Sequence, residues 1–491
     1  MVAFILPANS ATGGYEIDNS LRTGGGDNHH LSMVYGSSAS NRKTFTFSSW
    51  FKLGQAAHFT EYYDDEKYLF TSTDAAQSTT NVGYGGYTSG NAGGFHFQDG
   101  RSGTYIETTS KFRDPSAWYH VVVRYDSTQS TASDRIFIYV NGVSQPLNYS
   151  NSGDPEVDLN TEVDFFLAGD NIDATSADSG NFVHNVNSYY NSGFGAANNS
   201  FDGHFADMYL INAQSLAPTE FAETNDNGVW IPKKYGGTFN SHSFHLEFKQ
   251  TGSSANSSGI GADTSGQDNH FKVGVNSTLA AVDITTDTPT NNWCTLNSVD
   301  KDGHTNAEGN LQVSGNVIYG MQRGTMGASS GKWYFEARVD TAQNDTAIAL
   351  ANEDENVFTR FTGETTNSVG YLADGRFFYN SSATTYSSLS GGDIFQMAFD
   401  ADSGKIWIGK NNTWQNSGDP ANGSGQVQTV SWNFFLPAAR TVSNGVLSFN
   451  FGNPSFSISS GNANANGFGN FEFAVPSGFF ALCTKNLAEY G

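Results

Sequence analysis

Thr44-Phe45-Thr46-Phe47-Ser48-Ser49-Trp50 opens with strict alternation of polar and aromatic residues. Successive strand side chains point to opposite faces. Phe45 and Phe47 are therefore expected to face a core, with Thr44, Thr46 and Ser48 facing away. Three later stretches extend the pattern. Trp118-Tyr119-His120-Val121-Val122-Val123-Arg124-Tyr125 is an apolar run suited to a strand buried on both faces. Arg135-Ile136-Phe137-Ile138-Tyr139-Val140 runs into Asn141-Gly142, a pair that tolerates positive φ at both positions of a tight hairpin. Phe201-Asp202-Gly203-His204-Phe205-Ala206-Asp207-Met208-Tyr209-Leu210 closes the series. Short strands separated by Gly, Asn and Ser describe an antiparallel sandwich.

The second half repeats the theme. In Lys332-Trp333-Tyr334-Phe335-Glu336-Ala337-Arg338-Val339, alternation puts Trp333, Phe335, Ala337 and Val339 on one face. Ile394-Phe395-Gln396-Met397-Ala398-Phe399-Asp400 and Lys405-Ile406-Trp407-Ile408-Gly409 read as a hairpin joined through Ser403-Gly404. Long helical periodicity is absent. The best helix candidate is Ala217–Thr224, with Pro218 at the first helical position and Glu220 in the first turn.

Composition agrees with an all-β chain. Of 491 residues only 15% are charged, 14% are aromatic and 54 are glycine. A coiled coil needs more Lys, Glu and Leu, and a disordered chain would lack 38 Phe and 22 Tyr. The net charge of −24 argues against a nucleic-acid or anionic-membrane partner, because phosphate contacts need cations. No apolar run approaches the ~20 residues of a membrane span. Met1–Pro7 lacks the basic region of a secretory signal, so the expectation is a chain used without that route. The expected organisation is a terminus over 1–20 that docks on a neighbour or packs loosely, and a sandwich over 21–250. A polar linker over 251–289 and a second sandwich over 290–491 would follow.

Chemistry is sparse. A Glu-x-Asp-x-x-Glu glycosidase strand would supply carboxylates roughly 5–9.5 Å apart. Glu16-Ile17-Asp18 starts that way, but Leu21 stands where the last carboxylate is required. His242 and His245 are three apart on a predicted strand, which sends them to opposite faces and disfavours a shared metal. Cys294 and Cys483 are too few for a disulfide framework. They are two free buried thiols or a single bridge. No phosphate loop occurs. No catalytic residue is assigned and no cofactor is expected. Calcium is the one ion the oxygen-rich stretches Glu61–Glu66, Asp170–Asp173 and Asp300–Gly303 would suit, its ligands unassigned. Aromatics in polar segments are the remaining signal, because a ring face can stack on a sugar. Tyr84, Tyr87, Tyr189, Tyr190, Tyr371, Tyr379 and Trp414 qualify, and Tyr371, Tyr379 and Trp414 are the ligand-binding candidates carried forward.

Residues 21–250 resemble a laminin-G-like, concanavalin-type sandwich through Ser20-Leu21-Arg22, Phe45–Lys52, Trp118–Val121, Ile138–Gly142 and Phe201-Asp202-Gly203 with Ala206-Asp207. Residues 290–491 resemble a SPRY-type sandwich through Ser330–Glu336, Val369-Gly370-Tyr371, Gly392-Asp393-Ile394 and Gly404–Trp414. The second resemblance places Asn352–Asn356 in a surface loop and makes Asp354 a fourth ligand-binding candidate. The pairing, with Phe244–Phe248, Gln267–Phe271 and Asp287–Asn292, is similar to proteins encoded by tailed phages of marine bacteria. It implies a virion location, assembly through the N-terminal arm and a homo-oligomer, trimeric by analogy with fibres. Three roles follow from it. One is a tail-fibre-like protein attaching to host-surface polysaccharide or protein. The others are a capsid-decorating or tail-connecting spacer and a glycan-degrading tail enzyme.

Overall fold

The computed structural model describes residues 14–24, 29–54, 66–73, 79–85, 93–100, 103–149, 157–169, 182–190, 197–198 and 200–491. The chain forms two compact units, with the boundary between Thr290 and Asn291. Both are antiparallel β-sandwiches, the fold class expected.

In the first unit one sheet runs in the order Val143–Ser144, Ile136–Val140, Trp118–Asp126, Thr44–Leu53, Gly203–Asn212, Ser20–Thr23, Ile284–Thr285. The facing sheet runs Leu147–Tyr149, Thr104–Thr108, Phe95–Asp99, Thr79–Tyr84, Lys67–Thr73, Val183–Val186, Leu31–Met33, Lys272–Val273. The alternation of Thr44–Leu53 drives Phe45, Phe47 and Phe51 between the sheets, where they meet Phe97, Phe70 and Phe95 at 6.0, 6.1 and 6.2 Å between ring centroids. The Asn141-Gly142 turn has φ of 49° and 78°, as a tight hairpin requires.

The residues on the other face do not meet water. Thr46 and Ser48 are buried, and Trp50 packs with Ile17, Trp118, Ala206 and Ala222. Strand register also sets Arg22, His204, Lys52 and Trp118 in one row across four strands. Arg22 and Lys52 are 0% and 1% exposed at the side chain. A buried cation demands a partner, because stripping its hydration is expensive. Residues 283–287 supply two. Asp283 Oδ1 lies 3.0 Å from Arg22 Nη2, and Asp287 Oδ2 lies 2.6 Å from Lys52 Nζ. Trp118 Nε1 donates to the other Asp287 oxygen at 3.1 Å.

The expected linker over 251–289 is therefore corrected. Its polar composition reflects a covering layer that pairs at both sheet edges, Lys272–Val273 with Leu31–Ser32 and Ile284–Thr285 with Ser20–Leu21. The expected arm is also shortened. Residues 1–13 lie outside the described residues, but Ile17 is buried and exchanges hydrogen bonds with Thr290 Oγ1.

In the second unit one sheet runs Leu296–Lys301, Gln322–Gly324, Leu436–Arg440, Ala347–Ala351, Ser368–Leu372, Arg376–Tyr379, Ser382–Thr385. The other runs Thr305–Ala307, Gln312–Gly315, Gly445–Asn450, Lys332–Thr341, Ile394–Asp400, Lys405–Lys410, Thr413–Trp414. Trp333, Phe335, Ala337 and Val339 enter the core as the alternation requires. On the opposite face Glu336 is fully buried and accepts four hydrogen bonds. They come from Tyr334 Oη (2.8 Å), Asn450 Nδ2 (3.2 Å) and the backbone N–H groups of Glu472 (3.0 Å) and Phe473 (2.9 Å). Burial pushes its carboxyl up to about 7 against the pull of these donors.

Cys294 and Cys483 are free and buried. Cys294 lies in the inter-sheet core and Cys483 in a separate cluster around Trp293 and Tyr334, so their thiols occupy different clusters. The expected helix at Ala217–Thr224 is a single 3-10 turn, Pro218–Glu220, followed by the strand Ala222–Thr224. An α-helix forms instead at Thr484–Tyr490, too short to show a period.

Asp287→Ala removes a carboxylate that holds both the buried Lys52 ammonium and Trp118 Nε1. It is expected to destabilise the first unit by about 3–5 kcal/mol in chemical denaturation, whereas a rim carboxylate such as Asp226→Ala should shift it by less than about 0.5 kcal/mol. Glu336 has its folded pKa above its ordinary value of 4.5. Its contribution therefore favours the fold at low pH and is lost as pH rises from about 4.5 through about 7. Urea denaturation of the wild type and of Glu336→Gln at about pH 5 and about pH 7.5 checks this: the difference in stability between the two proteins should change across that window.

Candidate functional site

Two features stand out among the described residues, a buried polar cluster in the first unit and an exposed apolar surface in the second. In the first unit, alternation puts His96, Gln98, Tyr105 and Glu107 on the face of Phe95–Asp99 and Thr104–Thr108 opposite the aromatic core. His96 Nε2 shares a hydrogen bond with Asn81 Oδ1 at 3.1 Å, and Asn81 Nδ2 donates to Gln98 Oε1 at 2.9 Å. The His96 ring stacks on Tyr105 with centroids 5.1 Å apart. Gly83 leaves the space for it, since a Cβ there would lie 2.3 Å from His96 Cε1. Glu66 and Glu107 are the carboxylates whose charge His96 feels. Desolvation nevertheless lowers its pKa, so the imidazole stays neutral. All of these side chains are buried except Gln98, which is half-buried. Glu66 falls in the oxygen-rich stretch Glu61–Glu66, but its meeting with His96 and Glu107 was not legible, because the three residues come from separate segments of the chain. The alternating Phe-His-Phe-Gln and Tyr-Ile-Glu stretches were the available signal.

In the second unit the segment Ile318–Met321 runs beside Val357–Arg360. Met321 N donates to Val357 O at 2.8 Å and Gly320 N to Arg360 O at 3.1 Å. Gly320 has φ of 121°, and a Cβ there would meet Asp302 Oδ2 at 2.6 Å, so only glycine allows this close crossing. The crossing leaves three large apolar side chains in solvent: Ile318 at 65%, Tyr319 at 58% and Phe358 at 57% exposure. Burial of such groups is the default, so their exposure on two hydrogen-bonded segments is the informative feature.

The loop that carries Phe358 is firmly held. Glu355 is buried and accepts from Ser368 Oγ (2.8 Å), Asn356 N (2.9 Å) and Thr365 Oγ1. Asn352 Nδ2 donates to Asn367 Oδ1 at 3.2 Å. Arg323 ties Asp300 to the carbonyls of Asn352 and Glu353. Glu353 and Asp354 remain exposed beside Phe358 in sequence. The result is a preorganised apolar surface with carboxylates at its rim, a composition that suits either a sugar face or a protein side chain.

The four predicted ligand-binding residues divide. Asp354 is exposed on this loop. Tyr371 is not a contact residue: it is fully buried, packs edge-on against Phe395 at 5.2 Å and donates its hydroxyl to Ser387 O at 2.5 Å. Tyr379 is half-buried against the same core. Trp414 is half-buried at the edge of the other sheet, edge-on to Tyr334 at 6.3 Å. Tyr84 is likewise core. Tyr87 lies outside the described residues. So do Glu61–Asp65 and Asp170–Asp173 of the calcium candidates. Asp300 is taken by Arg323. Among the described residues no group of three or more His, Cys, Asp or Glu is placed to hold a metal ion. His242 and His245 take different partners, Ser37 O and Asp207 respectively.

Comparison with known proteins covers parts of the chain. No curated protein matches it. Among solved structures, the chain is similar to the SPRY domain of human HERC1, with 17% identity and a TM-score of 0.26 over 31% of this chain and 96% of that one. It is similar also to the TRIM65 PSpry domain, with 14% identity and a TM-score of 0.26 over 32% and 88% of the two chains. Stonustoxin gives 16% identity and a TM-score of 0.26 over 32% of this chain and 27% of its own. Residues 24–190 match the family model of the concanavalin A-like lectin/glucanases superfamily. The match lies within the first unit.

Proposed function

We propose that this chain is a non-enzymatic binding protein that engages a cell-surface polysaccharide or protein through the Ile318–Tyr319–Phe358 surface. The observation that carries the reading is the exposure of two aromatic rings, Tyr319 and Phe358, on two hydrogen-bonded segments, one of which carries the exposed carboxylates Glu353 and Asp354. The concanavalin-like match of residues 24–190 supports a recognition role. The resemblance to tailed-phage proteins supports the finer statement: a tail-fibre-like virion component, made in the host cytoplasm, oligomeric, and joined to other virion proteins by its N-terminal residues. In that setting weak individual sites act together through many copies. A capsid-decorating or tail-connecting spacer is the alternative within the same resemblance.

The Glu66–His96–Glu107 group favours one second reading, the glycan-degrading one, because two carboxylates beside a neutral imidazole can hold and pass protons. Release of reducing ends from host polysaccharide by the purified chain, abolished by Glu107→Gln, would replace the binding reading with that one.

Tyr319→Ala combined with Phe358→Ala tests the main proposal. Both side chains are largely exposed, so stability should change by less than about 0.5 kcal/mol. Binding of the purified chain to host envelope polysaccharide or cells should weaken at least about tenfold, near 1.4 kcal/mol. Unchanged binding would remove this surface from the interaction.

A further inference from the structure

Lys52 Nζ and Asp287 Oδ2 stand 2.6 Å apart, with 1% and 0% of their side chains exposed. Lys52 falls inside the stretch that matches the lectin/glucanase family, and Asp287 lies beyond it, 235 residues later in the chain. The pairs of Lys249 with Glu247 and of Lys332 with Asp400 instead keep the lysine in solvent, at 40% and 39% exposure. Both partners of the buried pair are held from behind. Register sets Lys52 between His204 and Trp118. Ser20 Oγ donates to Asp287 O at 2.6 Å, and Ile284–Thr285 pairs with Ser20–Leu21, so the backbone that carries the carboxyl group is fastened to the sheet. Trp118 Nε1 donates to the second carboxyl oxygen, Oδ1, at 3.1 Å.

A primary amine held against a carboxyl group in a dry interior is the reactant pair of an amide. Bulk water opposes this condensation. Here solvent is excluded, and fixed orientation replaces the encounter of two free reactants. The same row supplies the other parts. His204, the cross-strand neighbour of Lys52, is 1% exposed, and neither of its ring nitrogens has a hydrogen-bond partner among the described residues. Desolvation, with the charges of Lys52 and Arg22, keeps the ring neutral. A neutral imidazole of either tautomer has one N–H and one lone pair, so it accepts a proton at one nitrogen and donates at the other. Trp118 Nε1 faces the oxygen on which negative charge builds as the carboxyl carbon becomes tetrahedral. Arg22 and Asp283 are the contrast within the row. They are as deeply buried, but a guanidinium that stays protonated is no nucleophile.

We propose that Lys52 and Asp287 condense to an intramolecular amide, a covalent staple across the first unit. The Lys52 Nζ lone pair attacks Asp287 Cγ and the N–C bond forms. The Cγ–Oδ2 bond then breaks, and Oδ2 leaves as water. Ammonium with carboxylate, or amine with carboxylic acid, holds three exchangeable protons in all. One stays on the amide nitrogen and two depart with Oδ2, so the balance is the same from either starting state. His204 carries a proton from the nitrogen to the leaving oxygen. No oxidant, reductant or co-reactant is consumed. The staple closes a loop through most of the first unit and locks residues 283–287 over the sheet, restricting the unfolded chain. The inference stands whether or not the Tyr319–Phe358 surface engages a cell.

Intact mass spectrometry of the denatured full-length protein tests it, and this reading needs no variant to fold. The expected mass is that of the sequence less one water. Tryptic digestion should then release Thr44–Lys67, uncut at Lys52, joined to Val273–Lys301. Lys52→Arg keeps the cation but offers no amine, and should show the full sequence mass. In His204→Phe the linked fraction should build up at least about tenfold more slowly after synthesis. Wild-type protein of full sequence mass overturns the proposal. So does a loss of water confined to Val273–Lys301 without the joined peptide, or a loss of water that Lys52→Arg retains. Linkage at the wild-type rate in His204→Phe overturns the assignment of the proton carrier.

Discussion

A lysine and an arginine on the outward face of a sheet, both sealed from water, set the terms for the first unit. Lys52 and Arg22 belong to strands whose other face builds the aromatic core, so neither can turn away without undoing the alternation that makes the sandwich. Their charges must be matched in place. Asp283 and Asp287 match them from a segment more than two hundred residues away in sequence. That segment then covers Trp118 and extends the sheet at Ser20–Leu21. The outward face becomes a second interior. His204, between the two cations in the same row, is fully buried and held neutral by desolvation and by the Lys52 and Arg22 charges.

The second unit reaches the same end with the opposite sign. Glu336 stands on the outward face of the strand Lys332–Thr341, and two of its four donors are backbone N–H groups at 472 and 473. A late segment of the chain is again fastened to an early strand by one buried carboxyl group. In both units the fastening is directional. Hydrophobic cover alone would tolerate sliding, whereas a carboxylate with fixed donors specifies which residues lie over which. What is left uncovered is correspondingly informative. The crossing at Gly320 holds Tyr319 and Phe358 in water on a loop with little freedom left to lose, which is the condition for contact with low entropic loss on binding.

Much of the fold was legible because it rests on local rules. The alternation at Thr44–Leu53 and Lys332–Val339, and the Asn-Gly turn after Val140, depend on neighbours within a few residues. Asn411-Asn412 shows the same logic, with φ of 46° and 64° at the turn after Lys405–Lys410. The covering layers were not legible. A composition of Ser, Gly, Thr and Asp over 251–289 looks like a linker, and nothing local marks Asp287 as the partner of Lys52. The candidate site was legible only at Asp354. Tyr371 and Tyr319 are the same residue type in similarly polar surroundings. What separates them is that Tyr371 stands on a strand buried on both sides, while Tyr319 follows a crossing that no sequence period records. The His96–Asn81 and His245–Asp207 hydrogen bonds likewise arise from strands brought together by topology.

The central claim is that recognition occurs at the Tyr319–Phe358 surface. Hydrogen exchange of the full-length protein with and without host envelope polysaccharide tests it most directly, because it reads where the ligand lands and not only whether it binds. The account expects added protection confined to residues 316–321 and 352–367. Protection that falls on residues 79–108, with the 352–367 loop unchanged, would contradict it and move recognition to the polar sheet face around His96.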